Sequence, residues 1–261
     1  MTDALTLPLD VRLMNLTAAA LFAVFGMAAI AALALWAANH GLFALSGITV
    51  SGDVAHSNAV TLRANVVPKL GGSFLTLDLQ RAREVFESVP WVRHAVVRRE
   101  FPNRLRVILQ EHRAAAYWGG DADSRLLNTF GEVFEANAGE VEHEALPRLA
   151  GPAGQAPQVL AMYQTLQPLF EPMDLSLDQL ELTGRGSWVA RLDTGAAIEI
   201  GRGDTAEVVE RTVRFLKTLT QVTSQYQRRP DAIESADLRH VQGYALRLRG
   251  VSTGVGNDAR K

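Results

Sequence analysis

Residues Asp78 to Glu111 read DLQRAREVFESVPWVRHAVVRREFPNRLRVILQE, and this stretch decides the fold of the first outer part of the chain. Asp78 is a good helix N-cap, and Val89-Pro90 is a stop signal. Between them, apolar residues recur at helical spacing, at Leu79, Ala82, Val85 and Phe86. Two strands follow, Val92 to Glu100 and Arg104 to Glu111; apolar and polar residues alternate in the second, which predicts one buried face and one wet face.

The residues upstream complete a βααββ order. Ile48-Thr49-Val50 alternates and ends at Ser51-Gly52-Asp53, which predicts a strand followed by a turn. We expect Ser57 to cap a helix that runs to about Val67. A helix pair packed on one face of a three-stranded sheet buries both sets of apolar residues. We assign residues 43–117 to this unit.

A single apolar segment precedes this unit. Leu16 to Ala38 reads LTAAALFAVFGMAAIAALALWAA and carries no charge. Its length suits a membrane of about 30 Å, so a transmembrane helix is predicted. The run is longer than the apolar core of a signal peptide, and the preceding tail has one basic residue, Arg12. That residue favours a cytoplasmic tail (residues 1–15) and places residues 41–261 outside the cytoplasm.

Residues 118–250 predict a second α+β unit with a mostly antiparallel sheet and flanking helices. We expect an irregular bend at Leu146–Pro152, a helix from Gln155 to Phe170 and another from Thr205 to about Ser224. Short strands separated by tight turns are predicted at Leu126–Asn128, Val133–Phe134, Leu180–Thr183, Trp188–Leu192, Ala197–Ile200, Ile233–Arg239 and Tyr244–Leu248. Residues 251–261 are expected to be a disordered tail.

One motif in this unit imitates a dinucleotide site. Gly201 to Ala206 reads GRGDTA, which satisfies G-x-G-x-x-A. The preceding strands are joined by tight turns, however, and no acidic ribose partner stands about 20 residues later. Asp204 would also bring a carboxylate next to the pyrophosphate. We therefore predict a helix N-terminus with a capping box between Asp204 and Glu207.

Composition argues against several classes of function. The net charge is −2, which gives no general attraction to nucleic acid. The chain has no cysteine, so disulfides and thiolate chemistry are excluded. Its six histidines are scattered, and we find no nucleophile–base constellation. We expect no enzymatic activity, no cofactor and no metal.

The first unit resembles a POTRA domain. GITVSGD at Gly47–Asp53 and LTLDLQRAREVFESVPWVRHAVVRREFPNRLRVILQEHRAAAYW at Leu75–Trp118 carry the resemblance. Residues that recur in such domains fall at Pro90, Trp91, Val92, Ala95, Val97, Arg99, Phe101, Pro102, Leu105, Val107, Glu111, Ala115 and Trp118. Related domains often have Trp-Pro where this chain has Phe101-Pro102. The resemblance implies peptide binding rather than catalysis.

The whole layout is similar to the FtsQ/DivIB family of bacterial cell-division proteins. The second unit strengthens the likeness through LPRLAGP, IEIGRGDTAEVVERTVRF and ADLRHVQGYALRL, which begin at Leu146, Ile198 and Ala236. The resemblance implies a scaffold of the inner membrane, enriched at the division septum. Its partners would be FtsB and FtsL on the β domain, FtsW and FtsI through them, and FtsK-like proteins on the POTRA domain.

By the same resemblance, the FtsB segment pairs with the last strand of the β domain. This is β-augmentation, in which an open sheet edge supplies backbone hydrogen bonds. The family usually has Tyr where this chain has His240, which would make a contact of that ring sensitive to pH. The positions matching the binding edge are Arg239, His240, Gly243, Tyr244, Ala245, Leu246, Arg247, Leu248 and Arg249.

The main alternative is a POTRA-containing periplasmic chaperone for outer-membrane protein assembly or secretion. Such proteins usually end in a transmembrane barrel, and residues 113–261 are too few for sixteen strands of that kind. A membrane-tethered hydrolase is disfavoured by the missing catalytic constellation.

Overall fold

A computed structural model describes residues 9–39, 44–120, 125–141, 145–240 and 243–251. Its first element is helix α1, Leu9–Asn39. The stretch from Asp10 to Trp36 is long and apolar enough to cross a membrane, and none of it is buried by the rest of the protein. The helix is longer than the apolar run Leu16–Ala38 at both ends, and its first turn carries Asp10. The disordered tail predicted for residues 251–261 lies outside the described residues, apart from Val251.

The chain divides into two compact units, one ending at Glu111 and the other beginning at His112. After α1, the first unit has the predicted βααββ order. Its sheet has the strand order β1-β3-β2, with β1 parallel to β3 and β2 antiparallel to it. The elements are β1 (Gly47–Gly52), α2 (Ala59–Val66), α3 (Leu79–Glu87), β2 (Val92–Glu100) and β3 (Arg104–Glu111).

Side chains from both helices and the inner face of the sheet form the core of the first unit. Leu105, Val107 and Leu109 of β3 are buried, and the residues between them are exposed, as the alternation predicts. Asp78 caps α3 by accepting from the amides of Gln80 and Arg81. The predicted cap of α2 was one residue off, because Asn58 accepts from the amide of Thr61.

The second unit is built on one sheet that contains nine of the described strands, in the order β12-β11-β10-β9-β8-β7-β4-β5-β6. Five of its eight pairings are antiparallel, and β4–β7, β7–β8 and β10–β11 are parallel. The strands are β4 (Ala114–Trp118), β5 (Arg125–Asn128), β6 (Val133–Glu135), β7 (Arg148–Ala150), β8 (Leu177–Leu182), β9 (Ser187–Leu192), β10 (Ala197–Arg202), β11 (Ile233–Asp237) and β12 (Ala245–Leu248).

Two helices cover this sheet, α4 (Ala156–Phe170) and α5 (Thr205–Gln225). They pack on each other and on the sheet through one apolar cluster. The cluster includes Leu166, Trp188 and Phe215, each almost fully buried. Because the helices lie between parallel strands in the chain, they serve as the crossovers that parallel pairing requires.

Two features differ from the sequence expectation. The predicted boundary followed Tyr117, but β4 pairs with β5 and β7, so residues 114–118 are part of the second sheet. The predicted bend at Leu146–Pro152 contains β7, a strand of only three residues. The capping box was predicted correctly: Glu207 donates its amide to Asp204, and Asp204 donates its amide to the Glu207 carboxylate.

Candidate functional site

The last strand, β12, lies at one edge of the second sheet. It pairs with β11 alone: Ala245 is opposite Asp237, Leu246 opposite Ala236 and Leu248 opposite Ile233. Among the described residues no strand lies on its other side. Its outer row of amides and carbonyls is therefore open to an added strand.

The backbone of this edge alternates between the two sides. The amide of Arg249 donates to the carbonyl of Ala232 at 2.8 Å, so it points into the sheet. In an antiparallel pair, successive residues direct their backbone groups to opposite sides. The amides of Leu246 and Leu248 are then directed to the open side.

Three side chains fasten the edge strand to the body of the unit. Leu248 is buried, and Leu246 and Tyr244 are half-buried against the main core. The Tyr244 ring meets Phe215 of α5 edge-on, with ring centroids 5.0 Å apart. Its hydroxyl lies 2.8 Å from the hydroxyl of Thr218, also on α5. Helix α5 thus contacts the residue that precedes β12 and helps to hold the edge strand in place.

The side chains of the edge strand that point away from the core are small or basic. Ala245 is exposed and offers little bulk to an approaching chain. Arg247 pairs with Glu234 at 3.0 Å, and Arg249 donates to the carbonyl of Thr194 in the β9–β10 turn. The ion pair is largely exposed, so a partner's carboxylate can compete for Arg247 at little cost.

Arg239 is held just beyond the end of β11. Its guanidinium makes two bonds to Asp237, at 2.9 and 2.6 Å, and its amide makes a third at 3.0 Å. These bonds from Arg239 lower the pKa of Asp237 to about 2. The carboxylate therefore stays charged, and able to pair with Arg239, at a lower pH than an ordinary aspartate would.

Arg239 and His240 line a groove of about 1050 Å³ that continues from this end of the sheet. His240 is exposed. The groove is also lined by residues of the β8–β9 turn, of β10 and of the first turns of α5. Its charged residues are Arg185, Arg202, Arg211 and Arg214 together with Glu199, Glu207 and Glu210.

Sequence reasoning missed the groove, since its arginines come from separate elements of the second unit. The Arg211 guanidinium has a structural role, because it donates to the carbonyls of Ile200 and Arg202 at 2.7 and 2.8 Å. Arg185 and Arg202 are exposed and complete a basic margin beside Arg239. The remaining predicted position, Gly243, is exposed, and a Cβ there would meet nothing within 4 Å.

The described residues show no grouping suited to metal chemistry. Within them, three or more His, Asp or Glu side chains never converge on one point. The candidate site consists of an open backbone edge flanked by basic side chains, an arrangement suited to binding an extended peptide.

Comparison with known proteins agrees with the sequence resemblance. Residues 43–112 match the family model "POTRA domain, FtsQ-type". Residues 116–239 match the model "Cell division protein FtsQ/DivIB, C-terminal", which stops before β12.

Full-length relatives carry the similarity over nearly the whole chain. The Cell division protein FtsQ of Burkholderia pseudomallei is 40% identical over 93% of this chain and 94% of its own length. The protein of that name from Thiomonas arsenitoxydans is 38% identical, over 94% and 90% respectively. The one from Bordetella pertussis is 34% identical, over 92% of each.

Proposed function

Because this chain belongs to the FtsQ/DivIB family of cell-division proteins, we propose that it is a non-enzymatic scaffold that links division proteins at the septum. Two relatives named "Cell division protein FtsQ" match this chain over more than nine-tenths of its length. The structure supports a binding role through the open backbone edge of β12. In this proposal the protein works by binding, and its partners perform the chemistry of septum synthesis.

The scaffold is held in the inner membrane by α1. Most of this helix is apolar and exposed, as a lipid-facing helix must be. In the proposed orientation the N-terminus is cytoplasmic and both units are periplasmic, as the position of Arg12 favours. Among the described helices, α1 alone is long and apolar enough to span a membrane, so in this proposal it tethers the protein to the bilayer.

The observation that carries the binding proposal is the open edge of β12. A partner segment of the FtsB type would add a strand there, donating to and accepting from the outward backbone groups at Leu246 and Leu248. Arg239, His240 and Arg247 give the edge a basic flank, so we expect acidic residues in the partner segment. FtsL would join through FtsB, and FtsW and FtsI through that pair. FtsK-like proteins would contact the POTRA domain.

The experiment compares two substitutions of one residue. Leu246→Ala removes the side chain and keeps the amide, whereas Leu246→Pro also removes the outward N–H. The full-length variants, in detergent, are titrated with a labelled peptide of the periplasmic segment of an FtsB protein. We expect Leu246→Pro to bind at least about fivefold more weakly than Leu246→Ala, because one intermolecular hydrogen bond of about 1 kcal/mol is lost.

Equal binding by the two variants would show that the partner does not pair with this edge. Far-ultraviolet circular dichroism of both variants checks that the sheet is intact. In cells, depletion separates this function from the chaperone alternative. Filaments with dispersed late division proteins support the scaffold; normal septa with defective outer-membrane proteins support the chaperone.

A further inference from the structure

One end of the first sheet carries exposed apolar side chains. Phe101, in the turn between β2 and β3, is 82% exposed, and Leu75 in the neighbouring loop is 46% exposed. The two loops are joined: the Phe101 and Phe74 rings meet edge-on at 6.2 Å, and Arg99 donates to the carbonyls of Phe74 and Leu77. We call this end, Ser73–Leu77 with Phe101–Asn103, the tip.

The chain enters the first sheet at the tip. The amide of Ser46 donates to the carbonyl of Asn103 at 2.9 Å, and its hydroxyl donates to the Asn103 side chain at 2.6 Å. Strand β1 then runs away from the tip, from Gly47 opposite Arg104 to Gly52 opposite Leu109. The last residue of β3, Glu111, lies at the far end of the sheet, where the first unit ends.

The tip cannot lie far from the membrane anchor. Helix α1 ends at Asn39, and Ser46 is attached to the tip. Seven peptide units reach at most about 25 Å, whatever their conformation. The interfacial layer of a bilayer adds several ångströms beyond its hydrocarbon core of about 30 Å. The tip, to which Ser46 is bonded, is therefore within reach of the lipid headgroups that surround the end of α1.

The chemistry of the tip fits that layer. Aromatic side chains are enriched where hydrocarbon meets headgroups. Apolar groups that are exposed to water are stabilised when they are buried in that layer. Basic residues follow directly on the outer face of the sheet. Arg104 pairs with Gly47 and Glu100 at the first position after the turn, and Arg106 lies directly opposite Arg98. Arg106 is ion-paired with Glu100, with 2.6 Å between its Nη2 and Oε1. More than half of the Arg106 side chain is exposed, so a lipid phosphate can compete for its guanidinium at little cost.

We propose that the tip inserts Phe101 and Leu75 into the interfacial layer of the membrane that α1 spans, with Arg104, Arg106 and Arg98 against lipid phosphates. The occupant of this surface is phospholipid. The inference rests on the proposed anchoring by α1. Insertion would hold the first sheet upright on the membrane, with β1 and β3 leading away from the bilayer.

The absence of cysteine makes a direct test simple, since each introduced cysteine is unique. The full chain is placed in nanodiscs of phosphatidylethanolamine with a minority of phosphatidylglycerol. A nitroxide is attached to Leu75→Cys or to Val54→Cys. Val54 is a matched control, because it has the same 46% exposure and follows β1 at the far end of the sheet. Accessibility to oxygen and to an aqueous nickel reagent is then measured by electron paramagnetic resonance.

We expect a several-fold higher oxygen-to-nickel ratio at residue 75 than at residue 54. Adding Phe101→Ser, which replaces a side chain that is 82% exposed, should abolish the difference. Equal ratios at the two positions, shielding of residue 75 from both reagents as by a protein partner, or indifference to Phe101→Ser would each overturn the inference. A label at Leu21→Cys reports on α1 itself: if it is water-accessible, the anchoring fails, and if it is deep in lipid, only the tip is at issue.

Discussion

The hydroxyl groups of Tyr244 and Thr218 lie 2.8 Å apart and join the residue preceding the edge strand to the middle of α5. The Tyr244 ring also packs on Phe215 one turn away. The edge at which we propose binding is therefore not a loose end. It is held in the shape of a strand before a partner arrives, which lowers the ordering cost of binding.

Substitution at Tyr244 should separate the ring from the hydroxyl. Tyr244→Phe loses one exposed hydrogen bond, worth about 0.5 kcal/mol, and should bind an FtsB-type peptide nearly as well as the parent chain. Tyr244→Lys also loses the aromatic contact, worth about 1 kcal/mol, and we expect faster amide exchange in residues 243–251 together with weaker binding. Hydrogen exchange followed by mass spectrometry, with parallel titrations, measures both. Unchanged exchange in Tyr244→Lys would mean that the ring does not hold the edge.

Arg239 should contribute to partner binding through long-range attraction. Arg239→Ala removes one positive charge from the flank of the edge, so an acidic partner segment should associate several-fold more slowly at low salt. The deficit should shrink in high salt, where the parent's advantage is screened. Stopped-flow association at two ionic strengths measures this. Arg81→Ala, an exposed substitution in the first unit, is the control and should change neither rate.

Gly52 should tolerate no side chain. Its φ is +99°, and a Cβ there would lie 2.2 Å from the carbonyl oxygen of Leu109. Gly52→Ala must either move β3 or leave the left-handed conformation, at a cost of about 2 kcal/mol or more. Gly71→Ala is the matched control, since its Cβ would meet nothing within 4 Å. Thermal unfolding of both full-length variants should show a loss for Gly52→Ala alone, and equal midpoints would contradict the geometry.

Local signals in the sequence predicted local structure well. The capping box of α5 is complete within four residues, Asp204 to Glu207, so spacing alone revealed it. The alternation along β3 likewise needs no knowledge of its neighbours. The open last strand was also expected from the resemblance, and the structure has β12 at the sheet edge; partner binding there stays a prediction.

Features that depend on distant residues were not readable. Strand β7 has three residues, too few for a period, and exists because Leu149 pairs with Leu180 of β8 and with Trp118 of β4. The groove beside Arg239 combines residues from four stretches of the second unit, so no window of sequence contains it. The hydrogen bond from the amide of Ser57 to Glu111, 54 residues away, shows the same limit.

Glu111 should make the stability of the first unit depend on acid pH. Its carboxylate accepts from the amides of His56 and Ser57, at 3.0 and 2.7 Å. Burial of Glu111 raises its pKa, but the hydrogen bonds from His56 and Ser57 outweigh burial, so the pKa lies below its ordinary value of 4.5. A carboxyl whose pKa is lower in the folded state stabilises the fold above its unfolded pKa. That contribution is lost as pH falls through the folded pKa.

The free energy of unfolding should therefore decline as pH falls below about 4.5 in the parent chain, with Glu111 supplying part of the slope. Glu111→Gln should cost about 1–3 kcal/mol at pH 7, because a neutral amide accepts these two bonds less strongly. Below about pH 4.5, the free energy of unfolding of Glu111→Gln should fall less steeply than that of the parent chain. Glu84→Gln, an exposed change on α3, is the control. Hydrogen exchange of the first unit, read at a series of pH values, gives both quantities, and parallel curves for Glu111→Gln and the parent would show that Glu111 is not the titrating group.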